Sequence, residues 1–85
     1  MKLPTILLLQ FAAVAIACGD NAYRCVGPNG VGDDWAKTNH CCVTLAQDTC
    51  YCSHMAETYC DPDGSNIENF KDCCGSFQGY EAREC

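Results

Sequence analysis

The chain is 85 residues long and carries ten cysteines with a formal net charge of −6. Nucleic acid and anionic membranes both demand basic surface, so this balance argues against a nucleic-acid binder and against a pore-forming cationic peptide. The same acidity suits a small soluble domain.

Met1 and Lys2 precede an apolar run, Ile6 to Ala17, that ends in the small-x-small pattern Ala15-Ile16-Ala17. A positive start, a short apolar stretch and such an ending predict a secretory signal peptide over 1–17. The run is too short for a membrane anchor, and the polar Cys18-Gly19-Asp20-Asn21 follows at once. A lipoprotein reading of Ala17-Cys18 would leave an odd cysteine count and lacks the larger aliphatic preferred where Ala15 stands. Secretion places the chain in an oxidising, extracellular compartment.

Residues 18–85 are then read as a single domain. Loss of Lys2 leaves four basic side chains against eleven acidic ones, a charge of −7. Its large apolar residues are one Leu, one Ile, three Val, one Met, two Phe and one Trp. So small a core needs staples, each contributing about 2–5 kcal/mol. All ten cysteines (Cys18, Cys25, Cys41, Cys42, Cys50, Cys52, Cys60, Cys73, Cys74 and Cys85) are expected to form five disulfides. Ten cysteines allow on the order of a thousand pairings, and the spacing selects none. Adjacent side chains diverge, so Cys41 and Cys42 should bond to different partners. In an extended Thr49–Cys52 segment, Cys50 and Cys52 share one face and Tyr51 takes the other. The C-C and C-x-C arrangement is also a metal pattern, but a secreted chain with even cysteines favours disulfides.

In chain order, Ala22 to Val26 reads as a strand, closed by the glycine-rich loop Gly27 to Gly32, which has no phosphate-binding pattern. Asp33 and Asp34 open a short helix toward Cys41 that carries Trp35. Val43 and Leu45 alternate with Thr44 and Ala46, predicting a strand paired with Thr49–Cys52 around a Gln47-Asp48 turn. Ser53 to Cys60 is expected to hold one helical turn behind a Ser cap. Asp61-Pro62-Asp63-Gly64 is a turn, and Ser65 with Glu68 forms a capping box for a helix over Asn66–Cys74 ended by Gly75. Phe77 to Cys85 returns as a final strand. The fold class is small disulfide-rich α+β, with short strands and one or two short helices; a mainly α disulfide-rich fold is the alternative.

A hydrolytic set can be drawn from Ser53, His40 and His54, but no G-x-S-x-G or H-E-x-x-H accompanies it, and a domain of this size rarely shapes a desolvated catalytic site. The acidic turn Asp61-x-Asp63-Gly64-Ser65-Asn66-x-Glu68 departs from the calcium-loop template in glycine position and last ligand. No N-glycosylation acceptor occurs. The expectation is therefore a non-enzyme, with no metal and no cofactor, that binds through exposed aromatics. Trp35, Tyr51 and Tyr80 are the candidate contacts, with core filling as their competing role.

The pattern C-x6-C-x15-CC-x7-C-x-C-x7-C-x12-CC-x10-C behind a short signal peptide resembles the small secreted cysteine-rich proteins of filamentous fungi, many of them effector candidates. The ending CC-x10-C is similar to class II hydrophobins, but the middle spacing and the scarcity of aliphatic residues depart from them. A strand, helix, two strands, helix, strand order is similar to killer-toxin-like effectors with a ferredoxin-like sandwich. The resemblance implies a secreted effector-like protein that binds a host target, in the apoplast if plant-associated, and modulates immunity. A toxin or antimicrobial acting on microbes, or a protease inhibitor presenting Gly27–Gly32 or Asp61–Ser65, are the alternatives. The implied partner is a host extracellular protein or cell-wall component, without membrane insertion.

Overall fold

The computed structural model describes residues 16–28 and 34–85. Of the expected signal segment only Ile16 and Ala17 fall among them, and residues 29–33, most of the glycine loop, lie outside. The elements run β1 (Tyr23–Val26), α1 (Asp34–Thr44), β2 (Asp48–Cys52), β3 (Glu57–Asp61), α2 (Ile67–Gly75) and β4 (Glu81–Glu84). The strands form one antiparallel sheet in the order β2-β3-β1-β4. This is a small disulfide-rich α+β fold, not the mainly helical alternative. Its connectivity is that of two interleaved split βαβ units, β1-α1-β2 around β3 and β3-α2-β4 around β1, the ferredoxin-like arrangement. A strand, helix, two strands, helix, strand order is present, but its middle strands are Asp48–Cys52 and Glu57–Asp61, not the expected pair around Gln47-Asp48.

The first difference is at Val43-Leu45, where no strand forms because α1 continues to Thr44. Alternation over three residues cannot distinguish a strand from a helix. Burial decides it: Thr38, Cys41 and Cys42 are fully enclosed, at the spacings of three and four that one helix face supplies. The helix begins with the Asp34 carboxylate accepting the Gly27 N–H at 2.9 Å. It ends where Ala46 N–H donates to Val43 O and Gln47 N–H to Cys42 O, both at 2.9 Å, a Schellman closure. Ala46 takes the left-handed conformation there (φ 57°), which costs a residue with a Cβ about 1 kcal/mol. Residues 45–47 are thus the helix-to-strand connection, and Gln47-Asp48 is not a hairpin turn. Gln47 Oε1 also accepts the Asp63 N–H at 2.7 Å, joining the end of α1 to the turn before α2.

The second difference is at Ser53–Cys60. In place of a helical turn, Ser53–Ala56 form a tight connection in which Met55 N–H donates to Cys52 O and Ala56 N–H to Ser53 O. β3 then pairs with β2 from Cys52↔Glu57 to Asp48↔Asp61. Thr58 and Tyr59 suit a strand, and a strand carries Cys60 beneath α1, where it bonds Cys42.

The entry to α2 follows a different cap from the expected Ser65/Glu68 box. A 3-10 turn, Gly64–Asn66, starts the helical rise early, and its cap is Asp63. The Asp63 carboxylate accepts from Ser65 Oγ at 2.9 Å and from Asn66 N and Nδ2 at 3.1 Å. These bonds, the Ser65 hydroxyl foremost, hold Asp63 below its ordinary carboxyl pKa of 3.8. Glu68 faces Lys71 at 3.5 Å instead of reaching back. Gly75 is the last helical residue, and Ser76 closes the helix by donating its hydroxyl to Cys73 O at 2.6 Å. The positive φ falls later, at Gly79.

Strand alternation sorts the interior into two clusters. On the helix side Tyr23, Cys25 and Cys60 meet Cys41, Cys42, Phe70 and Cys74, with Leu45, Ile67 and Phe77 packed around them. Cys25–Cys74, Cys41–Cys73 and Cys42–Cys60 cross-link this layer. Cys41 and Cys42 therefore do bond to different partners. On the opposite side Ala22, Cys50, Cys52 and Tyr59 lie under Cys18–Cys50 and Cys52–Cys85. Among the described residues, Thr38 is the one buried polar side chain, and it links the layers of the fold. β1 meets β3 at Tyr23↔Cys60. At Cys25 the amide donates to Thr38 Oγ1 at 2.9 Å, and that hydroxyl donates to Asp34 O at 2.8 Å. A helix side chain thus satisfies a strand amide that would otherwise be stranded.

Candidate functional site

α1 and β2, consecutive in the chain, bring Trp35 and Tyr51 to one groove of about 360 Å³, lined also by Arg24, Ala56, Glu57 and Thr58. Trp35 is 43% exposed and Tyr51 38%. Trp35 sits in the first turn of α1, while Tyr51 points away from the Cys50/Cys52 face of β2. Arg24 is held in place by Glu57, with Nε 3.4 Å from its carboxylate, and by Thr58 O at 3.5 Å. Its guanidinium also lies 5.9 Å from the Tyr59 ring centroid. Only 12% of its side chain is exposed, so the groove presents chiefly the two aromatic rings beside an edge of this guanidinium. Half-exposed aromatic surface beside a fixed cation is the kind of surface that contributes to binding hot spots. Ala56, at φ 56°, contributes left-handed backbone to the rim.

Arg24, Ala56, Glu57 and Thr58 were not singled out by the sequence reading. Arg24 carried a signal: between Tyr23 and Cys25 in a strand, it must face away from both.

Tyr80 stands apart from this groove. Its ring covers Gly27 so closely that a Cβ there would come within 2.8 Å of the ring. It packs edge-on to Phe77 at 6.1 Å, and Lys37 Nζ lies 4.7 Å from the Phe77 centroid and 5.9 Å from that of Tyr80. Its role is to seat the start of β4 against the end of β1.

The histidines are separated: His40 packs edge-on to Phe77 at 5.8 Å, and His54 Nδ1 lies 3.8 Å from Cys52 Sγ in the β2–β3 turn. Neither hydrogen-bonds a serine or a carboxylate among the described residues. Among the described residues, two groupings bring potential ligands within 4.8 Å, Cys25-Cys41-Cys74 and Cys52-His54-Cys85. Every sulfur in them belongs to a disulfide and offers no thiolate. The Asp63 carboxylate is occupied by its own cap.

Beside the groove is a second, open cleft of about 510 Å³, lined by Ala17, Asp20, Tyr51, His54, Glu84 and their neighbours. Tyr51 borders both recesses. No protein-family model, no curated protein and no solved structure matches this chain.

Proposed function

We propose that this is a secreted, effector-like binding protein that engages an extracellular host target through the Trp35–Tyr51 groove and performs no catalysis. The observation that carries the reading is the pairing of two half-exposed aromatics around a fixed Arg24, since such anchors dominate binding hot spots. Five disulfides make the scaffold rigid, which lowers the ordering cost of binding and suits survival outside the cell. No helix among the described residues is long and apolar enough to cross a membrane. The host is a plant and the source a filamentous fungus on this reading, which draws on the cysteine pattern, and the target lies in the apoplast.

The test applies oxidised protein to plant tissue and scores immune output or cell death, beside growth assays on bacteria and fungi. Wild type should elicit or suppress a plant response, and Trp35→Ala should lose it while remaining folded and oxidised. Killing of microbes at low micromolar concentration without a plant response would replace this reading with an antimicrobial one.

A further inference from the structure

The geometry points to the outer edge of β2 as a receptor for the C-terminal end of an extended peptide from a partner protein. β2 is an edge strand. Residues 16–18 lie along it in parallel, bridged at Ala17↔Tyr51. Tyr51 N–H donates to Ile16 O at 2.7 Å, and Cys18 N–H donates to Tyr51 O at 3.0 Å. The chain is therefore adding a strand to its own sheet, the interaction by which sheet edges capture peptides.

The bond joining Ala17 to Cys18 is the one at which secretory cleavage is expected. Hydrolysis by a secretory peptidase consumes one water and leaves a carboxylate on Ala17 and an ammonium on Cys18. The leader departs, whereas Cys18 stays pinned to β2 by its disulfide to Cys50. Tyr51 N–H then lacks its acceptor, and a new ammonium stands where a carboxylate has just left. A peptide with a free C-terminus restores both interactions: its penultimate carbonyl accepts from Tyr51 N–H and its carboxylate meets the Cys18 ammonium in a charge-assisted bond. The side chain of Ile16 is largely exposed, which leaves the penultimate position free to vary. Upstream of its C-terminus a parallel peptide runs toward the exposed Asp48 at the start of β2, which, with the acidity of the whole chain, favours a peptide with basic residues there and disfavours a second copy of this chain.

This inference rests on the secreted binding-protein reading and names the chemistry of its partner. The test uses protein purified from secreting cells, with Cys18 verified as the first residue by mass spectrometry; another first residue overturns the proposal. The probe is the peptide KKVAIA, two lysines followed by the sequence of residues 14–17, with a free carboxylate, followed by amide NMR. The Tyr51 amide should shift saturably, and amidating the peptide's C-terminus should weaken binding about five- to tenfold. A form retaining Ile16 and Ala17 should not bind. No shift at Tyr51, equal binding of acid and amide, equal binding by the form retaining Ile16, or a dimer that protects Tyr51 without peptide would each overturn it. Failed peptide binding alongside an intact, Trp35-dependent plant response would reject this edge alone and leave the groove standing.

Discussion

On the helix side of the sheet, Phe70, Tyr23 and the flanking Leu45, Ile67 and Phe77 fill the space between three disulfides. On the other side, Tyr59 and Ala22 have two disulfides over them and, among the described residues, no helix. One face is a small conventional core reinforced by sulfur, and the other uses sulfur as its second layer. A cystine crossing a sheet face is compact and apolar, so two of them can exclude water over a few strand residues where the chain has no aliphatic side chains to spend. The contrast implies that equivalent bridges on the two faces do different amounts of work beyond closing a loop.

Reducing all five bridges should unfold both faces, because the apolar side chains cannot offset an ordering cost of about 1–2 kcal/mol per residue. The sharper measurement removes one bridge from each side. C25A/C74A opens the longest loop, a separation of 49 residues, and leaves a void beside Phe70. Its cost should lie toward 5 kcal/mol, against about 2 kcal/mol for C52A/C85A, with a separation of 33. Denaturant midpoints of the two variants decide the matter, and the reverse ranking would break the comparison.

Thr38 tests whether the helix side also depends on polar precision. Thr38→Val keeps the shape but strands the buried Cys25 N–H, so stability should fall by about 1–3 kcal/mol, and Thr38→Ser should recover most of it. Thermal unfolding gives the loss, and hydrogen exchange at the Cys25 amide should quicken in the Val variant. An unchanged exchange rate would mean that β3 takes over the pairing.

The smallest effect concerns how dry the opposite face is. Burial, and then the Glu57 carboxylate, push the Tyr59 phenol above its ordinary pKa of 10.0, while Arg24 and Arg83 pull it back. The folded state thus holds this proton more tightly than the unfolded chain. The stabilisation is complete below pH 10 and is lost as pH rises through the folded value. Tyrosinate absorbance should show one phenol ionising after the others, and Tyr59→Phe should move alkaline unfolding to higher pH. Simultaneous ionisation of all the tyrosines would mean that water reaches this face.

The strand at Ala22–Val26, the helix around Ile67–Cys74 and the divergent partners of Cys41 and Cys42 were legible because each depends on spacing within a few residues. The capping box was a local pattern too, yet Asp63, two residues earlier, caps the Asn66 N–H and accepts the Ser65 hydroxyl itself, which takes Ser65 out of the capping role. The sequence by itself determined that sulfur would hold this domain and that strands and helices would alternate, since cysteine number, apolar poverty and turn residues are properties of the chain at any conformation. Only the tertiary structure decided that Val43 belongs to a helix, which sulfurs meet across separations of 18 to 49 residues, and that Arg24, Trp35 and Tyr51 share a groove. Those outcomes depend on two crossovers packing against one sheet, and no local periodicity records which distant segments will become neighbours.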